Sequence, residues 1–202
     1  MELDNIINIF NEIISIPIED NVEYKVLEIS KIREDDIYGG FQIKLQYKFE
    51  NLKDYIYVDV ATGDPITPSS INYEHKTIIL NESINLRAYN LETYIAEKVQ
   101  TILLKGVLTS RLKDYYDLFI IYKLKWDDIN EDILHKAFVN TCNYRRCKFK
   151  KTEVNDILTE IINSSIFEQR WNAYSKKNSF AKELTYQEIV NVVKRLIMII
   201  YS

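Results

Sequence analysis

The stretch Leu91–Tyr122, LETYIAEKVQTILLKGVLTSRLKDYYDLFIIY, leaves few options for the fold. Leu91, Ile95, Val99, Ile102 and Leu103 recur at helical spacing, which predicts an amphipathic helix with Asn90 as its N-cap. Gly106 stops it, because glycine readily takes the left-handed conformation a helix end requires. Ser110 is the expected cap of a second helix, with Leu112, Tyr115, Tyr116, Phe119 and Ile120 on its apolar side. Two helices joined by a glycine turn are expected to pack antiparallel and to bring Lys98 near Asp114 and Asp117. Read alone, Lys113 with Asp117 and Arg111 with Asp114 are ordinary helix-surface ion pairs, each contributing roughly a few tenths of a kcal/mol.

Upstream the apolar spacing changes. Ile6, Ile7, Phe10, Ile13 and Ile14 predict a helix over residues 2–15, closed by Pro17. Val22, Tyr24 and Val26 then alternate with polar residues, and Leu27, Ile29 and Ile32 follow, which predicts a strand over 22–34 with an irregularity at its end. Glu34, Asp35 and Asp36 mark a turn. Tyr38–Phe49 is the cleanest alternation in the chain, with Phe41, Ile43, Leu45, Tyr47 and Phe49 on one face. A turn at 50–54 leads into an antiparallel strand, Tyr55–Val60, so these strands form one meander sheet. Gly63, Pro65 and Pro68 set a loop over 61–70, and 77–80 reads as a short further strand. Beyond Tyr122, segments near 128–142, 152–163, 164–175 and 185–200 carry helical spacing, the last opened by a capping box at Thr185–Glu188. The fold class is therefore α+β, a small antiparallel or mixed sheet followed by a C-terminal helical bundle, with a sheet-bearing lobe over 1–88 and a helical lobe over 89–202.

Composition narrows the chemistry. Cys142 and Cys147 are the only cysteines and His75 and His135 the only histidines, which speaks against a zinc site and for two reduced thiols. The acidic N-terminus has no signal-peptide pattern, and the apolar run Leu196–Tyr201 is too short to span a bilayer, so a soluble, cytoplasmic protein without membrane attachment is expected. Residues 1–90 hold 16 acids and 8 bases, whereas residues 91–202 hold 14 acids and 18 bases. An acidic front and a basic back suit a structural or metal-binding half joined to an anion-binding half. Tyr144–Lys151, YRRCKFKK, carries five bases and two aromatics with no acid. It is either a solvated basic connection between helices or an RNA contact through Arg145, Arg146 and Lys148.

Three motifs in order carry a family resemblance: Val58–Pro68 (VDVATGDPITP), Ala96–Lys98 (AEK) and Ser110–Phe119 (SRLKDYYDLF), with IREDDIYGGFQIKL upstream. Together they resemble the AbiEii-type nucleotidyltransferases, which include toxins of bacterial type IV toxin–antitoxin and abortive-infection (phage defence) systems. The resemblance runs from about Val22 to Tyr122. It implies a nucleotidyltransferase-like sheet, a nucleoside triphosphate and Mg2+ as cofactors, and transfer of a nucleotide to RNA, such as a tRNA-like 3′ end. It also implies a cognate antitoxin as partner. By residue match, Asp59 corresponds to a metal-binding carboxylate at a strand end. Lys98 corresponds to a lysine that meets nucleotide phosphates, and Asp114 to a later catalytic aspartate. Asp117 joins Asp114 as a catalytic candidate, and Arg111 and Lys113 join Lys98 as nucleotide-binding ones. Asp64 follows a glycine and reads as a turn former.

One part of the family pattern has no counterpart. The Gly-Gly or Gly-Ser turn followed by an Asp-x-Asp/Glu pair belongs ahead of Val22, where the chain has neither a glycine nor such a pair. Gly39-Gly40 is not followed by paired acids and reads instead as a strand irregularity or a close backbone approach. Three readings stay open: a chain whose catalytic front is missing, one half of a split enzyme, or a homologue that binds nucleotide, RNA or antitoxin without catalysis. An exposed sheet edge predicts pairing into a homodimer.

Overall fold

The computed structural model describes residues 3–32, 39–61, 63–78 and 82–202. The turn read at Glu34–Asp36, the start of the second strand at Tyr38 and the end of the 77–80 segment lie outside the described residues. The chain divides into two compact units, Met1–Asp64 and Pro65–Ser202. Among the described residues no helix is long and apolar enough to cross a membrane.

In the first unit, α1 (Leu3–Ile14) precedes an antiparallel meander of β1 (Glu23–Ile32), β2 (Gly40–Phe49) and β3 (Leu52–Ala61), in the order β1-β2-β3. The apolar stripe of α1 buries Ile6 and Phe10 against Ile43 and Leu45, with Val26, Ile29, Phe41, Val58 and Val60 packed around them. Ile13, expected on that stripe, is exposed; the buried positions are spaced by four, and Ile14 rather than Ile13 continues them. The irregularity of β1 falls in mid-strand instead of at its end: the register with β2 shifts between Val26 and Glu28. The extra residue there, Leu27, turns the inward parity from even to odd, so Val26 and Ile29 both reach the core.

The β2–β3 connection is tighter than the sequence predicts. Phe49 pairs with Leu52, leaving Glu50 and Asn51 as the turn, with Glu50 at φ 51°. Leu52, Lys53 and Asp54 are exposed, so no apolar pattern announced their place in the ladder. Alternation sends Val58 and Val60 inward and leaves Tyr55, Tyr57 and Asp59 on the outer face, opposite Gln46, Lys44 and Gln42.

The second unit begins with a hairpin the sequence reading missed. Strands β4 (Ile71–Lys76) and β5 (Ser83–Ala88) pair antiparallel, and Thr77 and Ile78, expected in a strand, stand in the connection between them. The alternations Ile71, Tyr73, His75 and Ile84, Leu86, Ala88 were the available signal. The helices follow as α2 (Leu91–Lys105), α3 (Leu112–Lys125), α4 (Glu131–Tyr144), α5 (Lys151–Asn163), α6 (Ser165–Lys177) and α7 (Tyr186–Ile200). They share one core, in which Ile95, Val99, Leu118, Leu134, Trp171 and Leu196 are fully buried. The capping box is present at α7, where Thr185 and Glu188 satisfy each other's backbone.

Gly40 shows why β2 opens on glycine. A Cβ built there stands 2.7 Å from the Val60 carbonyl oxygen, a backbone atom that cannot swing aside, whereas one at Gly39 meets only the Ile32 carbonyl at 3.8 Å. Gly40 is the close backbone approach that the sequence allowed. Gly40→Ala is expected to destabilise the first unit by about 1–3 kcal/mol, and Gly39→Ala to leave it nearly unchanged; urea unfolding of both variants checks this.

Candidate functional site on helices α2 and α3

Helix α2 starts where Asn90 accepts a hydrogen bond from Thr93 N at 2.9 Å. The same two residues hold the end of the VDVATGDPITP segment. Asn90 Nδ2 donates to Thr67 O at 2.6 Å, and Thr67 N donates to Thr93 Oγ1 at 3.0 Å. That motif therefore sets the N-terminus of the helix bearing Lys98. Gly106 ends α2 at φ 50°, as expected, and a 3-10 turn over Gly106–Leu108 follows. Ser110 does not cap α3. Arg111 occupies the cap position without a side-chain bond to the helix backbone, and Thr109 Oγ1 accepts from Arg111 N at 3.0 Å. The 3-10 turn over Gly106–Leu108 is followed by Thr109 and Ser110 before the helix begins at Leu112, one residue later than a Ser110 cap requires.

The packing of α2 on α3 gathers five charged groups. Lys98 Nζ lies 2.6 Å from Asp114 Oδ1 and 2.9 Å from Asp117 Oδ2. Arg111 Nε reaches Asp114 Oδ2 at 2.6 Å, and Lys113 Nζ reaches Asp117 Oδ2 at 2.8 Å. The cluster has an inside and an outside. The side chains of Lys98, Asp114 and Asp117 are 10%, 4% and 12% exposed, against 55% for Arg111 and 67% for Lys113. Both surface pairs expected from spacing are present, but they form the outer layer of a buried ion cluster.

Two contributors escaped the sequence reading. Tyr94 donates from its hydroxyl to Asp117 Oδ2 at 3.0 Å, and its ring centroid lies 4.5 Å from Lys98 Nζ. It stands four residues before Lys98, a spacing that would have revealed it. Glu97 meets Arg145 Nη2 at 3.5 Å and also raises the pKa of Arg111 by its charge, so it stands between the cluster and the basic run.

Burial works to lower the pKa of Lys98, but the hydrogen bonds it donates to Asp114 and Asp117 outweigh it and the net shift is upward. Burial works to raise Asp117, yet hydrogen bonds from Lys113, Lys98 and Tyr94 hold it below its ordinary 3.8. The hydrogen bond to Asp114 raises Arg111, and the one to Asp117 raises Lys113. Lys98, Arg111, Lys113 and Asp117 thus hold their charges at neutral pH, and the cluster sets three basic side chains around two acidic ones. Such an arrangement can attract a phosphate at its exposed cations while its buried carboxylates keep the lysine in place.

Asp59 belongs to the first unit, on the outer face of β3, where Oδ1 accepts from Gln42 Nε2 at 2.8 Å. Magnesium requires several oxygen ligands in near-octahedral order. Among the described residues no three His, Cys, Asp or Glu side chains gather, and the Asp114 and Asp117 oxygens are taken by cations. Neither unit by itself gathers a set of magnesium ligands among the described residues. In the basic run, Arg146 and Lys148 face solvent, whereas Arg145 donates to Gln100 Oε1 at 2.8 Å and so anchors the run to α2.

The model of a family described as "Nucleotidyl transferase AbiEii toxin, Type IV TA system" matches residues 2–192. Among solved structures, JHP933 from Helicobacter pylori shares 11% identity at a TM-score of 0.50, covering 100% of this chain and 72% of that one. A candidate nucleotidyltransferase from H. pylori shares 12% identity at a TM-score of 0.47, covering 91% of this chain and 68% of that one. At such identity the first of these likenesses concerns the fold alone. No curated protein matches the chain in sequence.

Acid should release the cluster through Asp117. Its folded-state pKa is depressed, so its contribution is present above 3.8 and is lost as pH falls through the folded value. Lys98 is raised, so its contribution is present below 10.5 and is lost only as pH rises past that value. Asp117→Asn is expected to cost about 1–3 kcal/mol at neutral pH, with the gap to wild type closing below pH 3.8; urea midpoints across the acid range check this.

Proposed function

This chain belongs to the AbiEii nucleotidyl transferase toxin family of type IV toxin–antitoxin systems, and from that premise we propose that the α2–α3 cluster receives a nucleoside triphosphate for nucleotide transfer to RNA. Membership of a toxin–antitoxin family implies an antitoxin partner. The observation that carries the reading is the buried trio of Lys98, Asp114 and Asp117. Taking charges out of water costs on the order of several kcal/mol per ion, and apolar residues of similar volume often serve stability as well or better. A helix pair that keeps such a cluster at one end of its packing suits chemistry more than folding.

In this reading Arg111 and Lys113 meet the phosphate oxygens first, because their side chains reach solvent. Lys98 supplies a fixed positive charge beneath them, oriented by Asp114 and Asp117. An RNA hydroxyl oxygen, plausible at a tRNA-like 3′ end, attacks the α-phosphorus, the bond to the bridging oxygen breaks, and pyrophosphate leaves toward the cations. Asp117, ionised and held by Lys98, Lys113 and Tyr94, keeps the two lysines oriented, and the hydroxyl proton passes to solvent. Arg146 and Lys148 offer the RNA backbone a salt-sensitive contact. The sheet-bearing lobe, 1–88, presents Asp59, and the helical lobe, 89–202, holds the triphosphate. The family resemblance brings Mg2+ with it, and Asp59 is the one described carboxylate that corresponds to a ligand. The outer strands β1 and β3 present edges for a second copy of the chain.

The position of Asp59, bonded to Gln42 with no gathering of carboxylates around it among the described residues, favours a second reading: a nucleotide-, RNA- or antitoxin-binding homologue that does not catalyse transfer. Magnesium-dependent incorporation of each labelled nucleoside triphosphate into total bacterial RNA separates the two. Transfer by the wild type, lost in folded Lys98→Ala and lowered about tenfold or more in Arg111→Ala/Lys113→Ala, is the expected result. Triphosphate binding that depends on Lys98 without any product selects the binding homologue. Transfer that survives Lys98→Ala unchanged overturns the assignment of the cluster. Arg146→Ala/Lys148→Ala is expected to weaken RNA binding and flatten its salt dependence, read by filter binding at several salt concentrations.

A further inference from the structure

The end of α4 brings together two thiols that the proposed transfer does not use. Cys147 N donates to Cys142 O at 2.9 Å and Arg146 N to Asn143 O at 3.2 Å, with Arg146 in the left-handed region at φ 50°. These two bonds define a helix stop in which the third residue before the C-cap, Arg145, and the second beyond it meet side by side. Here those residues are Cys142 and Cys147, both unbridged. The chain has no other cysteine.

The surroundings hold the pair in place and give it one entrance. Gln100, on α2, donates from Nε2 to Cys147 Sγ at 3.3 Å while its Oε1 accepts from Arg145 Nη1 at 2.8 Å, so one buried amide fixes the sulfur and the turn beside it. Cys142 is 7% exposed, and burial, with the adjacent Cys147, pushes its thiol up to about 12. Cys147 is half-buried and is the thiol a reagent meets first. A disulfide needs Cα atoms roughly 4.4–6.8 Å apart, and a backbone already closed by the Cys147–Cys142 hydrogen bond meets that need without moving a helix.

We propose that Cys142 and Cys147 form a redox-modification site: a dithiol that a low-molecular-weight disulfide converts reversibly into an intrachain disulfide locking the end of α4. The Cys147 thiolate attacks one sulfur of the small disulfide, that S–S bond breaks, and one small thiol leaves carrying a proton. Cys142 then releases its proton to solvent and attacks the Cys147 sulfur, the protein S–S bond forms, and the second small thiol departs. The protein loses two electrons and two protons, and the small disulfide gains them as two thiols. This site is independent of the nucleotide reading.

The test treats the folded full-length chain with oxidised glutathione, blocks remaining thiols and digests with trypsin without reductant. Arg145 and Arg146 lie between the cysteines, so the two cysteine peptides separate unless a disulfide joins them. The expected result is joined peptides, an intact mass lower by two hydrogens, a Tm raised by about a few degrees, and reversal of all three by dithiothreitol. Cys142→Ser is expected to stop at one glutathione on Cys147. Should that variant unfold, Cys147→Ser, changed at the half-exposed position, is expected to resist glutathione while folded. Wild-type protein that stops at the glutathione adduct, that links its cysteines only in urea, or that loses Tm on linking overturns the proposal.

Discussion

The second unit is organised around a cation held away from water. Lys98 sits at the packing of α2 on α3 with two carboxylates as its near neighbours, and each carboxylate is shared with a second cation nearer the surface. Removing either aspartate leaves a buried ammonium short of a partner, and removing the lysine leaves two buried carboxylates facing each other. The cluster therefore behaves as one object with a single stable arrangement, rather than as four additive ion pairs. In the proposed function this arrangement has one advantage: the inner charge is already desolvated and oriented, so a bound triphosphate would reorganise only Arg111 and Lys113.

Much of this was legible because the relevant signals were local. Helical spacing placed Lys98, Asp114 and Asp117 on surfaces that a glycine turn would bring together, and the distances show them together. The capping box at Thr185 and the alternation of β2 were equally plain. The failures were places where backbone hydrogen bonding operated with little burial to accompany it. Leu52–Asp54 extend β3 as exposed residues, β4 and β5 pair with little burial, and Leu27 adds a bulge whose mark is only a change of parity. Asp59 was legible by motif alone. Its spacing put it on the polar face, and the structure adds Gln42 as its partner but no gathering of ligands among the described residues.

The basic run illustrates how composition merges roles that geometry separates. Five bases in eight residues look uniform in sequence. In the folded chain Arg145 is tied to Gln100 and Glu97, Lys151 Nζ donates to the Tyr201 carbonyl at 3.1 Å, and Arg146 and Lys148 remain outward. Because Glu97 also acts on Arg111, the run and the ion cluster share one electrostatic neighbourhood on α2.

Arg146 adds a consequence of its own. At φ 50° it occupies backbone territory that an L-residue enters at a cost of about 1–2 kcal/mol and that glycine enters freely. At this position conformational ease and surface charge cannot both be satisfied by one side chain. A glycine would relax the turn and discharge the surface, whereas the arginine keeps a cation pointed outward at the expense of the backbone beneath it. The end of α4 is thus a small balance between the stability of a helix stop and the potential it displays to whatever approaches.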